Sequence, residues 1–365
     1  EQGDLSTTSV PYFEYPMQGM MDMMRPHYEE AKKNAAEKST ATVKHGVGLS
    51  WGGYHVSKTP DRSESDIELT GDNSVTVYNT WANVGQGADF GTLAHTHEAL
   101  RPLGIPHHNI KLVQGNTQTC PDSGSAAGSR SHHSSGKAIL NAAAQLMDAM
   151  RKEDGTFRTF AEMKAENLPL RFHGVYTDSI ADIDPDTGHG YGSVAQNYML
   201  FLTEVAVDTE TGKVSVESAR VIADVGTVGS YHAVLGQAWG GFSHSVGFAL
   251  SEQYDDMQKH ASMRGAGIPK CNDIPDTFHV DFHVTPRPNG PQGSTGCAEG
   301  FQSSGHVAIM NAIADAVDLR FNALPVTPEK IKAGLQGQQN SKDAITNPWD
   351  LGCDLYERLE VLKKD

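Results

Sequence analysis

Cysteine is scarce. The 365 residues hold four, Cys120, Cys271, Cys297 and Cys353, and no two of them form a CxxC pair. That excludes zinc ribbons and thioredoxin-like redox motifs. Sparse, unpaired cysteines fit a reducing compartment, so the cytoplasm is the expected location. The chain begins at Glu1 without a methionine, which leaves a removed leader and the periplasm open. Positive charge is also short: 29 Lys and Arg stand against 45 Asp and Glu, a net charge of −16. Nucleic acids and anionic membranes need the opposite balance, and neither is expected as a partner. No apolar run is long enough to span a bilayer. Several catalytic signatures are missing as well. No histidine pair has the HExxH arrangement. Gly85-Gln-Gly-Ala-Asp89 lacks the third glycine of a dinucleotide loop. Gly241-Phe-Ser-His-Ser245 is one glycine short of a nucleophile elbow.

What is present reads as α+β, two lobes of mixed or antiparallel sheet with packed helices. Residues 1–15 read as a connector, 16–165 as a first lobe, 166–335 as a second and 336–365 as a tail. Met17, Met20, Met21 and Met24 recur on one helical face, and Pro26 should break or kink that helix. A strand is expected over 47–56, and Gly71-Asp-Asn-Ser74 marks a hairpin between alternating runs. Helices are expected over 91–100 and 135–151, a strand over 110–113, and Thr159-Phe-Ala-Glu162 is a capping box. Later come strands over 198–207 and 213–223, a glycine-bearing helix over 233–252 and a strand over 278–284. An amphipathic tail helix is expected over 349–362.

Three small-residue loops carry the chemistry. In Gly293-Ser-Thr-Gly-Cys-Ala-Glu-Gly300 one carboxylate, Glu299, stands among neighbours that offer it no charge partner or strong hydrogen bond. A helix follows, with Ser303 or Ser304 as its cap and Val307, Met310, Ile313, Ala314 and Val317 as its apolar stripe. Glu299 is either a general base on a tight loop or a glutamate in an ordinary glycine-rich turn. Gly85, Gln86 and Gly87 open a helix, where backbone N–H groups favour an anion and the Gln86 amide both donates and accepts. Gly124-Ser-Ala-Ala-Gly-Ser-Arg130 is a second such loop. Its N–H groups and Arg130 suit a phosphate, and the alternative is a flexible surface loop. Of the seventeen histidines, His95 and His97 face different sides of a helix and His132 and His133 are adjacent, so none makes a good chelate.

Taken in order, these loops resemble the molybdenum-binding subunit of the xanthine oxidase family, and within it the chain is similar to the aldehyde oxidoreductases of sulfate-reducing bacteria. The matching stretches include Met23-Met-Arg-Pro-His-Tyr28, Gly85-Gln-Gly-Ala-Asp89, His97-Glu-Ala-Leu-Arg-Pro-Leu-Gly104, Gly128-Ser-Arg130, Gly236-Gln237, Phe248-Ala-Leu-Ser-Glu252 and Pro328-Glu-Lys330. They extend over roughly residues 4–335. The resemblance implies a molybdopterin-binding fold and a molybdenum held by the pterin, expected as a cytosine dinucleotide, with no metal ligands from the protein. It implies cofactor contacts at Gly85, Gln86, Gly87, Gly128, Ser129, Arg130 and Gln237, and Glu299 as the base beside the metal. The implied reaction is oxidation of an aldehyde to a carboxylic acid, with water as oxygen source and electrons passed to 2Fe–2S clusters. The alternatives are hydroxylation of an N-heteroaromatic of purine or nicotinate type, or a non-catalytic cofactor-holding subunit. Only the back part of such a subunit is represented. The expected partners are therefore its amino-terminal half, an iron–sulfur subunit or domain, and a small-molecule substrate. Two departures stand out. Cys297, Ala298 and Gly300 replace the family's usual valine, glycine and proline or leucine, and His132 and His133 follow the Gly-Ser-Arg block.

Overall fold

Two 14-residue strands, β1 (Val43–Val56) and β6 (Ala195–Asp208), pair antiparallel along their whole length, from Val43 opposite Asp208 to Val56 opposite Ala195. The computed structural model describes residues 4–337 apart from 7, 13, 58, 59, 179 and 181. The tail helix expected over 349–362 lies outside the described residues. β6 continues through its turn into β7 (Val214–Asp224), also antiparallel, and β8 (Thr277–Phe282) adds parallel to β7, giving the order β1-β6-β7-β8. The second sheet has the order β4-β3-β2-β5. Here β2 (Arg62–Gly71) pairs antiparallel with β3 (Ser74–Asn79) and β5 (Arg171–Thr177), while β4 (Ile110–Gln114) lies parallel to β3. The fold is α+β, as the sequence implies. The strands interleave, however: β1 belongs with β6–β8 and β5 with β2–β4, so the sheets do not part at residue 165.

β6 is buried on both faces because helices cover both. Tyr198, Leu200 and Leu202 pack with Met20, Met24, Ala31 and Ala35 of α1 (Met17–Lys38). Met199 and Phe201 face α5 (Tyr231–Leu250) and α6 (Gly305–Val317) on the other side. α1 runs unbroken through Pro26, against expectation. Pro26 lies on the solvent side, so the carbonyl that loses its N–H partner reaches water instead. The α6 face also differs from the expected stripe: Gly305, Ala308, Ile309, Ala312 and Ile313 are buried, and Val307 is exposed. The selecting feature is on β1. A Cβ at Gly46 or Gly48 would lie 2.1 Å from the carbonyl oxygens of Ala312 and Ala308, so these glycines let α6 lie directly on the strand.

The second sheet uses the same device. A Cβ at Gly174 in β5 would lie 2.1 Å from the Ala138 carbonyl of α3 (Arg130–Met150). Ile139, Ala142, Ala143 and Leu146 of α3 then pack on Ile67, Leu69, Val75 and Val77. α2 (Ala88–Ala99) lies beside α3, while α4 (Phe160–Ala165) and α7 (Pro328–Leu335) are peripheral. The Thr159–Glu162 capping box is formed as expected.

The segment read as a connector is fastened to the first sheet. Glu14 is buried, its carbonyl accepts from Tyr198 Oη at 2.9 Å, and its carboxylate lies 3.3 Å from Nε of the fully buried Arg287. Burial outweighs the attraction of Arg287 and lifts the Glu14 carboxyl from 4.5 to about 7. Between those values the folded chain holds a proton that the unfolded chain releases. This contribution to stability is therefore full below about 4.5 and declines as pH rises to about 7. The gap in Tm between wild type and Glu14→Gln should change across that window. A constant gap from pH 4.5 to 7 would contradict the assignment.

Candidate active site

The glutamate loop is strapped to the segment that leaves the end of β7. Thr227 N–H donates to the Gly293 carbonyl at 2.8 Å, Thr295 N–H to Val225 at 3.2 Å, and Ser294 bridges Gly226. Further on, Asn197 of β6, fully buried, donates from Nδ2 to the Gly296 carbonyl at 2.8 Å. Gly296 must be glycine, because a Cβ there would lie 2.0 Å from the Ser129 carbonyl. That contact brings the start of α3 against the glutamate loop. Ser129 Oγ then donates to Glu299 Oε2 at 2.9 Å. The Tyr54 phenol of β1 faces the same carboxylate; burial, followed by its interaction with Glu299, pushes the phenol above its usual range, so it keeps its proton. The loop neighbours of Glu299 give the carboxylate no hydrogen bond among the described residues; its donor, Ser129, comes from a distant part of the chain. Cys297 beside Glu299 is held as a neutral thiol, pushed up by burial to about 12.

Glu299 lines a cavity of about 620 Å³. Gln86, Gly87, Ser129 and Gln237 share its wall, so four of the seven residues expected at the cofactor meet there, from three separate loops or helices. Gly85, Gly128 and Arg130 do not line it. Gly85 and Gly128 act through backbone shape, at φ of 113° and 60°. Arg130 is turned inward. Its Nε bonds Asp61 Oδ1 at 2.8 Å, Nη1 the carbonyls of Ser123 and Ser125, and Nη2 the carbonyl of Arg62. A guanidinium has five N–H donors, and these bonds use four of them. Arg130 therefore shapes the phosphate-type loop from behind. It is corrected from a direct anion contact to a scaffold of that loop.

The Gln86 loop is self-closed. Gln86 Oε1 accepts from Val84 N–H at 2.7 Å, Nε2 donates to Ala82 at 2.8 Å, and Asn83 Oδ1 accepts from Gly85 and Gly87. The Gln237 side chain, on the first turns of α5, has no protein hydrogen bond among the described residues and borders the cavity. The glycines of α5 divide into two kinds. Gly241 packs against Phe301, where a Cβ would lie 2.6 Å away, whereas Gly236 and Gly240 face open space. Trp81, His95, His132 and Ser294 complete the wall and were not assigned from sequence. Only the unusual His132–His133 pair signalled them.

A family model described as a molybdopterin cofactor-binding domain matches residues 23–275, and the chain belongs to that family. It is 40% identical to an aldehyde oxidoreductase of Megalodesulfovibrio gigas over 336 residues, 92% of this chain and 37% of that protein. The crystal structure of the aldehyde oxidoreductase from Desulfovibrio desulfuricans matches with a TM-score of 0.89 at 45% identity, covering 91% of this chain and 37% of that one. A probable hypoxanthine oxidase of Escherichia coli K12 is 27% identical over 302 residues, 76% of this chain and 30% of that protein. The chain thus spans about 37% of the length of the aldehyde oxidoreductases it matches.

The cavity fits the family's cofactor. Besides the uncommitted Gln237 amide, three lining residues, Trp81, His95 and Thr295, have buried polar atoms, Nε1, Nε2 and Oγ1, without a protein partner. A polar ligand would satisfy such atoms, which otherwise cost about 1–3 kcal/mol each.

Proposed function

We propose that this chain is the carboxy-terminal portion of a molybdenum hydroxylase that oxidises aldehydes to carboxylic acids. The observation that carries the reading is a carboxylate held by Ser129 and faced by the Tyr54 phenol, in one cavity with Gln86 and Gln237. The overall change is RCHO + H₂O → RCOOH + 2H⁺ + 2e⁻. Molybdopterin, bound here as a cytosine dinucleotide, supplies the metal that accepts the electron pair and activates the oxygen derived from water.

The chain's own residues do the rest. A carboxylate has roughly four lone-pair sites, so the Ser129 bond on one oxygen leaves room for an incoming proton. Glu299 takes the proton released from the water-derived oxygen as that oxygen bonds to the carbonyl carbon. Ser129 keeps the carboxylate aimed during the transfer. Gln237 and the N–H groups near Gln86 and Gly87 hold the polar edge of the cofactor, and the loop braced by Arg130 seats its phosphates. The electrons leave to 2Fe–2S clusters on an iron–sulfur subunit or missing segment. The amino-terminal part of the subunit closes the substrate pocket. This is a small-molecule enzyme, with the cytoplasm as its proposed location; no described helix is long and apolar enough to cross a membrane.

The test is to quantify molybdenum and pterin in the purified, assembled protein and to assay it on an aldehyde panel and a purine and nicotinate panel. Cofactor with aldehyde turnover is expected. Turnover confined to the heterocycles would replace aldehyde by heteroaromatic hydroxylation, the direction in which the hypoxanthine oxidase relative points. Bound cofactor with no turnover on either panel would leave a cofactor-holding subunit.

A further inference from the structure

The loop bearing Glu299 is tied by side chains to α2 and to the start of α3 at three points. His95 Nδ1 meets Gln292 Oε1 at 2.9 Å, His132 Nε2 meets Ser294 Oγ at 2.8 Å, and Ser129 Oγ meets Glu299 at 2.9 Å. The middle contact has a fixed polarity. Ser294 Oγ gives its single hydrogen to the Pro291 carbonyl at 2.6 Å, so toward His132 it accepts only. His132 must therefore donate from Nε2–H. Burial, reinforced by His95 and His133, holds the His132 pKa well below 6.5, so the ring is neutral and Nδ1 carries no proton. The first contact has the same logic. Gln292 Oε1 accepts, so His95 donates from Nδ1. Its bare Nε2 is buried without a partner beside Gly136. The two rings lie tilted at 55° with their centroids 4.5 Å apart, and Trp81 meets His132 edge-on.

Between Ser294 and Glu299 the loop has only Thr295, Gly296, Cys297 and Ala298, none of them bulky. Its placement relies on hydrogen bonds, because little side-chain packing is available to set it. The Asn197 bond holds the Gly296 carbonyl from the β6 side, and the His132 bond is its counterpart from α3.

We propose that His132 is a positioning residue for Glu299: its Nε2–H, given to Ser294, sets the register of loop 294–299 and keeps the carboxylate on Ser129. This rests on the reading of Glu299 as the base, but loop placement is measurable without turnover. In the assembled holoenzyme, three substitutions separate the roles. His132→Phe keeps a ring and loses the donor, His132→Gln places an amide N–H near the Nε2 position, and Ser294→Ala removes the acceptor. A misplacement of about 1 Å is worth up to about 10²-fold in rate. For His132→Phe, kcat per bound molybdenum should fall about 10–100-fold with KM within about 2-fold, and amide exchange in peptide 291–300 should accelerate. His132→Gln should recover most of both. Ser294→Ala should match His132→Phe, and the double variant should be no worse than either alone, since both remove one contact. Wild-type exchange and kcat in His132→Phe would overturn the proposal. So would a His132→Gln enzyme as impaired as His132→Phe, or additive losses in the double variant. If the wild type turns over neither aldehydes nor heteroaromatics, the reading of Glu299 as the base fails on that result, and the exchange data alone still decide whether His132 places the loop.

Discussion

Glu299→Gln is expected to lower turnover by about 10²–10⁴-fold, the usual worth of a general base, while molybdenum and pterin content stay at wild-type levels. Glutamine has the length of glutamate, and its amide oxygen still accepts from Ser129. The side chain should keep its place, so what is lost is the capacity to take a proton. The cofactor contacts proposed for Gln86, Gln237 and the loop before α3 come from other elements and are untouched. Measuring kcat per bound molybdenum, rather than per chain, separates chemistry from loading. Near-normal turnover in the variant would make Glu299 a structural residue of its loop. Loss of the cofactor would make it part of the binding site instead. Tyr54→Phe gives a graded comparison: it removes the phenol hydroxyl that faces the carboxylate and leaves the base, so its loss should be smaller than that of Glu299→Gln.

Most elements with a local signal were legible in the sequence. The β2–β3 hairpin, the Thr159 capping box, β4 and the β6–β7 pair each carry turn or alternation signals within a few residues. β5 was not seen, because Gly174 interrupts its pattern, and that glycine is there for α3. α3 begins at Arg130 rather than 135, since Ser131, Ser134 and Ser135 read as loop residues but are buried, Ser134 on Asp61 and Ser135 on Ser63. The site divides in the same way. Gln86, Ser129, Gln237 and Glu299, expected from the ordered likeness of their loops to one family, line one cavity. Tyr54 carries no signal of its own. It reaches Glu299 because the β1–β6 register sets it opposite Asn197, and Asn197 grips the Gly296 carbonyl. Arg130 was misread for a related reason. An arginine after a glycine-serine loop looks like an anion ligand until its buried partner, Asp61, is brought in from far along the chain.

That buried pair predicts the largest stability effect. Arg130→Met is expected to destabilise the chain by about 3–5 kcal/mol, the typical cost of removing one partner of a buried ion pair. Asp61 is only 7% exposed, and without Arg130 its carboxylate keeps just short-range help, including the Ser57 and Ser134 hydroxyls. The carbonyls of Arg62, Ser123 and Ser125 each lose a donor in the same step, so the loop before α3 loosens. Cofactor content should therefore fall with stability, although Arg130 does not line the cavity. Arg101→Met is the matched control. Its pair with Glu98 is at the surface, with the arginine side chain 72% exposed. An exposed pair contributes roughly 0–1 kcal/mol. Adding Asp61→Asn to Arg130→Met removes the stranded charge and should restore part of the loss. Denaturant unfolding of the three variants decides the matter. If Arg130→Met costs no more than Arg101→Met, the guanidinium is not what holds the loop.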